Sequence, residues 1–106
     1  MYHKLQFISQ GNTPEEHFEC IRRALQGGCR WVQLRMKEFS PEQITRTAIQ
    51  VRALCNEFGA VFIVNDHPAI AAETNADGVH LGLSDMDVSE ARKIVGKESV
   101  IGGTAN

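Results

Sequence analysis

The stretch "VQLRMK", residues 32–37, decides between two folds that the rest of the chain permits. Gln33, Arg35 and Lys37 alternate with three apolar residues, so in a strand the three polar side chains share one face. Parallel sheets usually have both faces covered, and a cationic face beneath a layer of helices would be costly to bury. The stretch therefore favours a (β/α)8 barrel, whose mouth such a face would line, over an open doubly wound sheet. A half-exposed strand with a hydrated polar face is the plainer alternative.

Strands and helices alternate along the whole sequence. Strands are predicted at residues 4–9, 31–35, 61–64, 78–81 and 99–103. The first two helices each begin with a capping box and a first-turn proline, namely Thr13, Pro14 and Glu16, then Ser40, Pro41 and Gln43. Two further helices are predicted near 68–74 and 88–95. Repeated βα units imply a parallel sheet, and the first turn, "ISQGNTPEE", lacks the G-x-G-x-x-G of dinucleotide-binding folds.

The composition excludes several classes of protein. With 106 residues the chain can form one modest domain, and its net charge of −2 provides no basic surface for nucleic acid. No apolar run approaches the roughly 18 residues of a membrane span, and the N-terminus lacks the pattern of a secretion signal. The three cysteines form no C-x-x-C pair, which indicates reduced thiols in a cytoplasmic protein.

Polar residues follow the predicted strands at the end where parallel α/β proteins bind ligands. In chain order they are Arg35 and Lys37, Asn65 and Asp66, Asp85 and Asp87, and Thr104 and Asn106. Cations, amides and hydroxyls hold phosphate oxygens, and two carboxylates from separate loops suit Mg²⁺, which prefers hard oxygen ligands together with substrate phosphate. The residue types therefore predict a site for a polyphosphate and a metal.

Several of these residues also have a purely structural interpretation. Asp87 is better explained as the N-cap of the helix near 88–95, and Asp85 competes for the same capping role. His80 alternates with apolar residues in its strand and is expected to be a packed, hydrogen-bonded core histidine. His67 and His3 have no ligand spacing, so the sequence gives little support for zinc.

Four segments together closely resemble the thiamine-phosphate synthase family: "VQLRMK", "FIVND", "ADGVHLGLSDM" and "IGGTAN", in this order. Each is weak alone, but the combination is highly specific. The resemblance covers the whole chain and implies a (β/α)8 barrel of the TIM type, of which only the first five strands and four helices are present. Residues 1–106 would then be the N-terminal portion of a single barrel domain.

The resemblance implies a transferase that condenses hydroxymethylpyrimidine diphosphate with thiazole phosphate, giving thiamine phosphate and pyrophosphate. The family positions that bind the pyrimidine diphosphate match Gln33, Leu34, Arg35, Met36, Lys37, Asn65 and Thr104, and the Mg²⁺ ligands match Asp66 and Asp85. In the family mechanism pyrophosphate leaves first, and the thiazole nitrogen attacks the resulting pyrimidine carbocation. Arg35 and Lys37 are implied to be catalytic because they stabilise the charge of the leaving group.

The resemblance also implies what this chain lacks. The family's thiazole-phosphate site and a phosphate-contacting lysine lie in later loops, so the isolated chain is expected to be inactive. Two alternatives are a thiazole tautomerase-like isomerase and a non-catalytic half-barrel that acts as an interaction module. Asn65, Asp66 and Asp85 together argue against the isomerase, which has no diphosphate to ionise. The expected partners are the two small-molecule substrates and, through unpaired strand edges, a second copy of the chain.

Overall fold

The computed structural model of the chain describes residues 6–81 and 100–103. Its elements are, in chain order, β1 Phe7–Ile8, α1 Pro14–Gln26, β2 Trp31–Leu34, α2 Pro41–Phe58, β3 Val61–Asn65, α3 Pro68–Glu73, β4 Gly78–Leu81 and β5 Val100–Gly103. The predicted alternation is confirmed in this part of the chain, although β1 is shorter than the predicted 4–9. β2 also ends at Leu34, so of the three alternating polar residues only Gln33 lies on the strand face, and Arg35 and Lys37 lie in the loop that follows. The predicted helix near 88–95 lies outside the described residues.

The strands form one sheet in the order β1-β2-β3-β4-β5, and every neighbouring pair is parallel. Each βα unit therefore returns the chain to the position beside the preceding strand. A doubly wound sheet reverses its strand order at a switch point, whereas a barrel adds its strands in sequence. Across the described residues the order is sequential, which is the arrangement of the barrel type.

Local sequence explains where α1 and α2 begin. The Ser40 hydroxyl accepts from the Gln43 backbone N–H and the Gln43 side chain accepts from the Ser40 N–H, both at 3.1 Å, which completes the predicted capping box. At α1 the Thr13 hydroxyl accepts from the Glu16 N–H at 3.1 Å. The Glu16 carboxylate, however, accepts from the Asn12 N–H at 2.6 Å, one residue before the cap. The predicted box at α1 is therefore correct in its first half only.

The core lies between the sheet and the helices. The register of β2 and β3 pairs Val32 with Phe62 and Leu34 with Val64, and all four side chains are fully buried. The helices cover them with further buried residues, namely Ile21 and Leu25 from α1 and Ile44, Ala48, Val51 and Cys55 from α2. These residues fall on one face of each helix at the predicted helical spacing. Burial raises the pKa of the Cys55 thiol to about 11, so this cysteine is unreactive at neutral pH.

The opposite face of the sheet carries Gln33, Asn65 and apolar side chains that the helices do not cover. Register places Ile8 beside Gln33 on this face, and Val61 lies two residues before Ile63 on the same side of β3. Ile8 and Val61 are each 41% exposed, which is unusual for large aliphatic residues in a parallel sheet. This surface, the inner face, is the one that a closed barrel would enclose.

Polar residues at the amino ends of the strands have a structural role. Asp77, directly before β4, accepts the Phe62 backbone N–H at 2.8 Å and lies 3.3 Å from the Arg52 guanidinium. The same guanidinium also donates to the Asn75 carbonyl oxygen and stacks on the Phe62 ring. Asp77 thus joins α2, β3 and β4 at this end of the sheet, and the carboxyl ends remain for a ligand.

Candidate ligand site at the carboxyl ends of the strands

A row of three amide side chains crosses the inner face obliquely, from Gln6 just before β1 through Gln33 in β2 to Asn65 at the carboxyl end of β3. The Asn65 amide donates to Gln33 Oε1 at 2.9 Å, and the Gln33 amide donates to Gln6 Oε1 at 2.8 Å. Gln33 and Asn65 are both buried. Each bond uses one donor or acceptor of Gln33, so one N–H and one oxygen lone pair of that side chain are not used by these two bonds. Gln6 was missed by the sequence analysis, although it lies two residues before Ile8 and so shares its face.

The loop after β3 places a carboxylate beside the loop after β2. Asp66 has φ 63°, a left-handed conformation, and its backbone N–H donates to the His80 carbonyl oxygen at 2.8 Å. Lys37 Nζ lies 2.6 Å from Asp66 Oδ2. The Lys37 side chain is 51% exposed and that of Asp66 17% exposed, so solvent reaches the pair. A cation and a carboxylate that are 29 residues apart in sequence thus meet at the predicted edge of the sheet.

A buried serine–histidine pair lies behind the loop that carries Arg35 and Lys37. Ser9 Oγ lies 2.7 Å from His17 Nδ1 and accepts the backbone N–H of Arg35 at 2.9 Å. Burial lowers the pKa of His17, opposed by a hydrogen bond with the Gly11 backbone and by the charge of Glu16. No motif identified this pair, but His17 precedes the buried Ile21 by four residues and so belongs to the apolar stripe of α1.

An open cleft of about 370 Å³ lies between the loops after β1 and β2. Its walls are residues 9–12, His17, Arg35 and residues 37–39. The cleft therefore joins the serine–histidine pair to the two cations that the sequence analysis assigned to phosphate binding.

The remaining predicted site residues have different placements. The Leu34 and Met36 side chains are buried in the core on the helix side of the sheet, so only their backbone groups can contact a ligand at this edge. His80, expected to be packed in the core, is only half-buried, because its side chain lies on the inner face in register with Asn65. The predicted residues Asp85 and Thr104 lie outside the described residues, as do Asp87, Asn106 and His3.

The donors for a metal ion can be assessed only in part. Within residues 6–81 and 100–103, no three His, Cys, Asp or Glu side chains are grouped closely enough to hold a metal among themselves. Magnesium sites often use only one or two carboxylates plus substrate phosphate and water. Asp66 supplies one accessible hard oxygen ligand of that type, so the described part of the site fits Mg²⁺ held jointly with a phosphate.

No helix among the described residues is long and apolar enough to cross a membrane.

Fold and site together define a class of protein. The described residues form a parallel α/β unit of the barrel type, with polar side chains brought together toward the carboxyl ends of β2 and β3. Buried amides beside a lysine and a carboxylate suit a ligand that combines a polar ring with a phosphate group. The described residues therefore belong to an α/β protein of the barrel type that carries a candidate ligand site at the carboxyl ends of its strands.

Comparison with known sequences narrows this class. The sequence model of the thiamine monophosphate synthase family matches residues 5–106, and the chain belongs to this family. It is 51% identical over 106 residues to the thiamine-phosphate synthase of Flavobacterium psychrophilum, covering 100% of this chain and 52% of that protein. It is 48% identical over 103 residues to the thiamine-phosphate synthase of Phocaeicola vulgatus, covering 97% of this chain and 50% of that protein.

A solved structure shows the same architecture. The thiamine phosphate pyrophosphorylase of Pyrococcus furiosus superposes with a TM-score of 0.83 at 30% sequence identity, covering 92% of this chain and 48% of that chain. The chain spans about half the length of the curated relatives it matches. The resemblance stated from the four sequence segments is thus confirmed at the level of the family.

Proposed function

We propose that this chain supplies the pyrimidine-diphosphate and Mg²⁺ half of a thiamine-phosphate synthase active site. The reaction would condense hydroxymethylpyrimidine diphosphate with thiazole phosphate, giving thiamine phosphate and pyrophosphate. The observation that carries this proposal is the position of the Lys37–Asp66 pair beside the buried amides of Gln33 and Asn65. The two amides can hydrogen-bond a heteroaromatic ring, and the charged pair can bind a diphosphate and its metal.

The buried amides would recognise the pyrimidine ring. Gln33 keeps one N–H after its bonds to Gln6 and Asn65, and a pyrimidine nitrogen can accept that N–H. Because both neighbours hold the amide in one orientation, little side-chain entropy would be lost on binding. The inner face thus offers a preorganised place for the ring.

The charged side chains would act on the diphosphate. Arg35 and Lys37 would bind its oxygens and stabilise the charge that develops as pyrophosphate leaves. Asp66 and Asp85 would hold Mg²⁺, which supplies further neutralisation of the diphosphate when bound. The contact between Lys37 and Asp66 in this structure supports this proposal, because it brings the cation that would bind the diphosphate next to the carboxylate that would bind its metal. Leu34 and Met36 would contribute through their backbone, and Thr104 through its hydroxyl.

The domain organisation follows from the same proposal. Residues 1–106 would be the N-terminal portion of one (β/α)8 barrel, with five strands and four helices, and the later strands would cover Ile8 and Val61 on the inner face. The thiazole phosphate would bind loops beyond this portion, so the isolated chain would not turn over. Exposed apolar surface and open strand edges favour association with a second copy. The complete protein would act in the cytoplasm on small molecules, without a nucleic-acid or membrane partner.

The test compares two substrates in the complete protein. Arg35→Ala and Lys37→Ala should weaken binding of the pyrimidine diphosphate by at least about tenfold, because each removes a charge-assisted hydrogen bond. Binding of thiazole phosphate should change little. Calorimetric titration with each substrate separately measures both effects. Arg23→Ala is the matched control, since Arg23 is an exposed cation in the last turn of α1.

Two results would contradict the proposal. Equal losses for both substrates would indicate a folding defect rather than a pyrimidine-diphosphate site. Interconversion of thiazole tautomers without pyrophosphate release would favour the isomerase alternative. Product formation itself is measured as thiamine phosphate released per enzyme.

A further inference from the structure

The loop after β2 is fastened to α1 and β1 by groups that the proposed reaction does not use. Ser9 donates its backbone N–H to the Gln33 carbonyl oxygen at 2.9 Å, and its hydroxyl accepts the Arg35 N–H at 2.9 Å. The hydroxyl therefore extends the pairing of the two segments past Leu34, where β2 ends. The backbone of Arg35 is thus held by a side chain from the end of the neighbouring strand.

His17 determines how that hydroxyl is used. The Arg35 N–H can only donate, so Ser9 Oγ accepts from it, and the hydroxyl hydrogen can then point to His17 Nδ1 at 2.7 Å. Both Ser9 and His17 are 3% exposed, so water does not compete for these bonds. A neutral imidazole with its proton on Nε2 satisfies this arrangement.

The same histidine contacts the far end of the loop. The His17 ring meets the Phe39 ring edge to face, with centroids 5.5 Å apart. The loop is therefore attached to one buried group at Arg35 through the backbone and at Phe39 through a ring. Lys37 lies between the two attachments and reaches Asp66.

We propose that Ser9 and His17 are positioning residues that hold the loop of Arg35 and Lys37 in the conformation that binds a diphosphate. The inference rests on the proposed function, because it takes the diphosphate as the ligand of that loop. A loop fixed in advance loses less conformational entropy when its cations engage the ligand. Ser9 and His17 are each only 3% exposed, so we assign them an action through the Arg35 backbone and the Phe39 ring rather than direct contact with the substrate.

The experiment measures steady-state kinetics of the complete protein. Ser9→Ala should raise KM for the pyrimidine diphosphate about fivefold to tenfold, the effect of one lost hydrogen bond, with KM for thiazole phosphate unchanged. Ser9→Thr keeps the hydroxyl and should restore KM. His17→Phe keeps the ring contact with Phe39 and loses the nitrogen, so it should resemble Ser9→Ala. It also provides a second variant if Ser9→Ala does not fold.

A double-mutant cycle separates positioning from general stability. Because one of the two cations that Ser9 positions is already absent in Arg35→Ala, Ser9→Ala should raise the KM of that variant by clearly less than it raises the KM of the wild type. Multiplying effects in the double variant, or equal rises in both KM values, would overturn the proposal. So would wild-type KM values in both Ser9→Ala and His17→Phe.

A binding measurement that does not depend on catalysis distinguishes this inference from the proposed function. Titration with inorganic pyrophosphate and Mg²⁺ should show the same order of affinities among the variants as the kinetics. If the wild-type protein forms no thiamine phosphate but Ser9→Ala weakens pyrophosphate binding and Ser9→Thr restores it, the proposed reaction fails and the positioning pair stands. If all variants bind pyrophosphate equally, the pair has no positioning role.

Discussion

Replacing Asp66 with asparagine should remove most activity of the complete protein and leave its fold intact. Asp66 has φ 63°, a left-handed conformation that asparagine adopts more readily than most residues. The substitution keeps the size of the side chain and the backbone N–H that bonds to the His80 carbonyl. What it removes is the negative charge that faces Lys37 and would face Mg²⁺.

The surroundings of Asp66 set the expected losses of stability and of activity. Lys37, the ion-pair partner of Asp66, has a side chain that is 51% exposed. The loss of this ion pair should therefore lower the free energy of unfolding by at most about 1 kcal/mol. For a protein of barrel size that loss lowers Tm by roughly 2–4 °C. Activity should fall at least about 100-fold. Even the mutation of a residue that only hydrogen-bonds to a metal ligand often lowers metal affinity or activity by about 10- to 100-fold, and Asp66 would be a ligand itself. Asp66→Ala should lose a further 1–2 kcal/mol or so, because a left-handed conformation strains its Cβ without a polar group to compensate.

Asp66→Gly provides the matched control, since glycine accepts positive φ without strain. Thermal unfolding and Mg²⁺-dependent turnover would be measured for all three variants. The Asp66→Asn and Asp66→Gly variants should be more stable than Asp66→Ala, while all three variants should be nearly inactive. Full activity with unchanged Mg²⁺ dependence in Asp66→Asn would refute the metal role. Equal destabilisation by Asn and Ala would refute the reasoning from backbone conformation.

Three further predictions concern other residues. Asp85→Asn should also cost orders of magnitude in turnover; wild-type activity would show that Asp85 only caps a helix. Asn65→Ala should lower the unfolding free energy by about 1–3 kcal/mol in urea titrations, because buried Gln33 Oε1 loses its donor, and unchanged stability would contradict the amide row. Burial lowers the pKa of His17 in the folded state below 6.5, so the unfolded chain takes up the proton first and stability should fall as pH drops below about 6.5. His17→Phe should flatten that part of the stability–pH curve, and an unaltered curve would show that His17 does not cause the loss.

Short-range pattern was sufficient to predict most of the fold. The alternation in residues 32–37 identified Val32 and Leu34 as core and Gln33 as a residue of the other face, because side chains alternate strictly in a strand. The capping box at Ser40 was predictable since all its atoms lie within four residues. For these two features the local sequence pattern predicts the structure that is observed.

What could not be predicted depends on the conformation of loops or on contacts between distant segments. The Glu16 carboxylate accepts from the Asn12 N–H instead of the Thr13 N–H, and Gly11 lies close against Glu16 at this point. A Cβ atom on Gly11 would lie 2.6 Å from the Glu16 Cβ, so only glycine allows this approach. The contact of Ser9 with Arg35 spans 26 residues and has no sequence signature. The Lys37–Asp66 pair was predicted only as two residues at one edge, since their contact depends on loop conformation.

Sequential strand order also has a consequence for synthesis on the ribosome. Each strand from β2 to β4 pairs with the strand made just before it, so every pairing can form as soon as the next βα unit emerges. Contacts between neighbours in sequence close quickly because little chain must be looped to make them. A nascent half-sheet can thus hold its helices in place while Ile8 and Val61 still face water. In the complete barrel proposed above, the interval before later strands covered this surface would be the one in which the growing chain is most prone to associate through it.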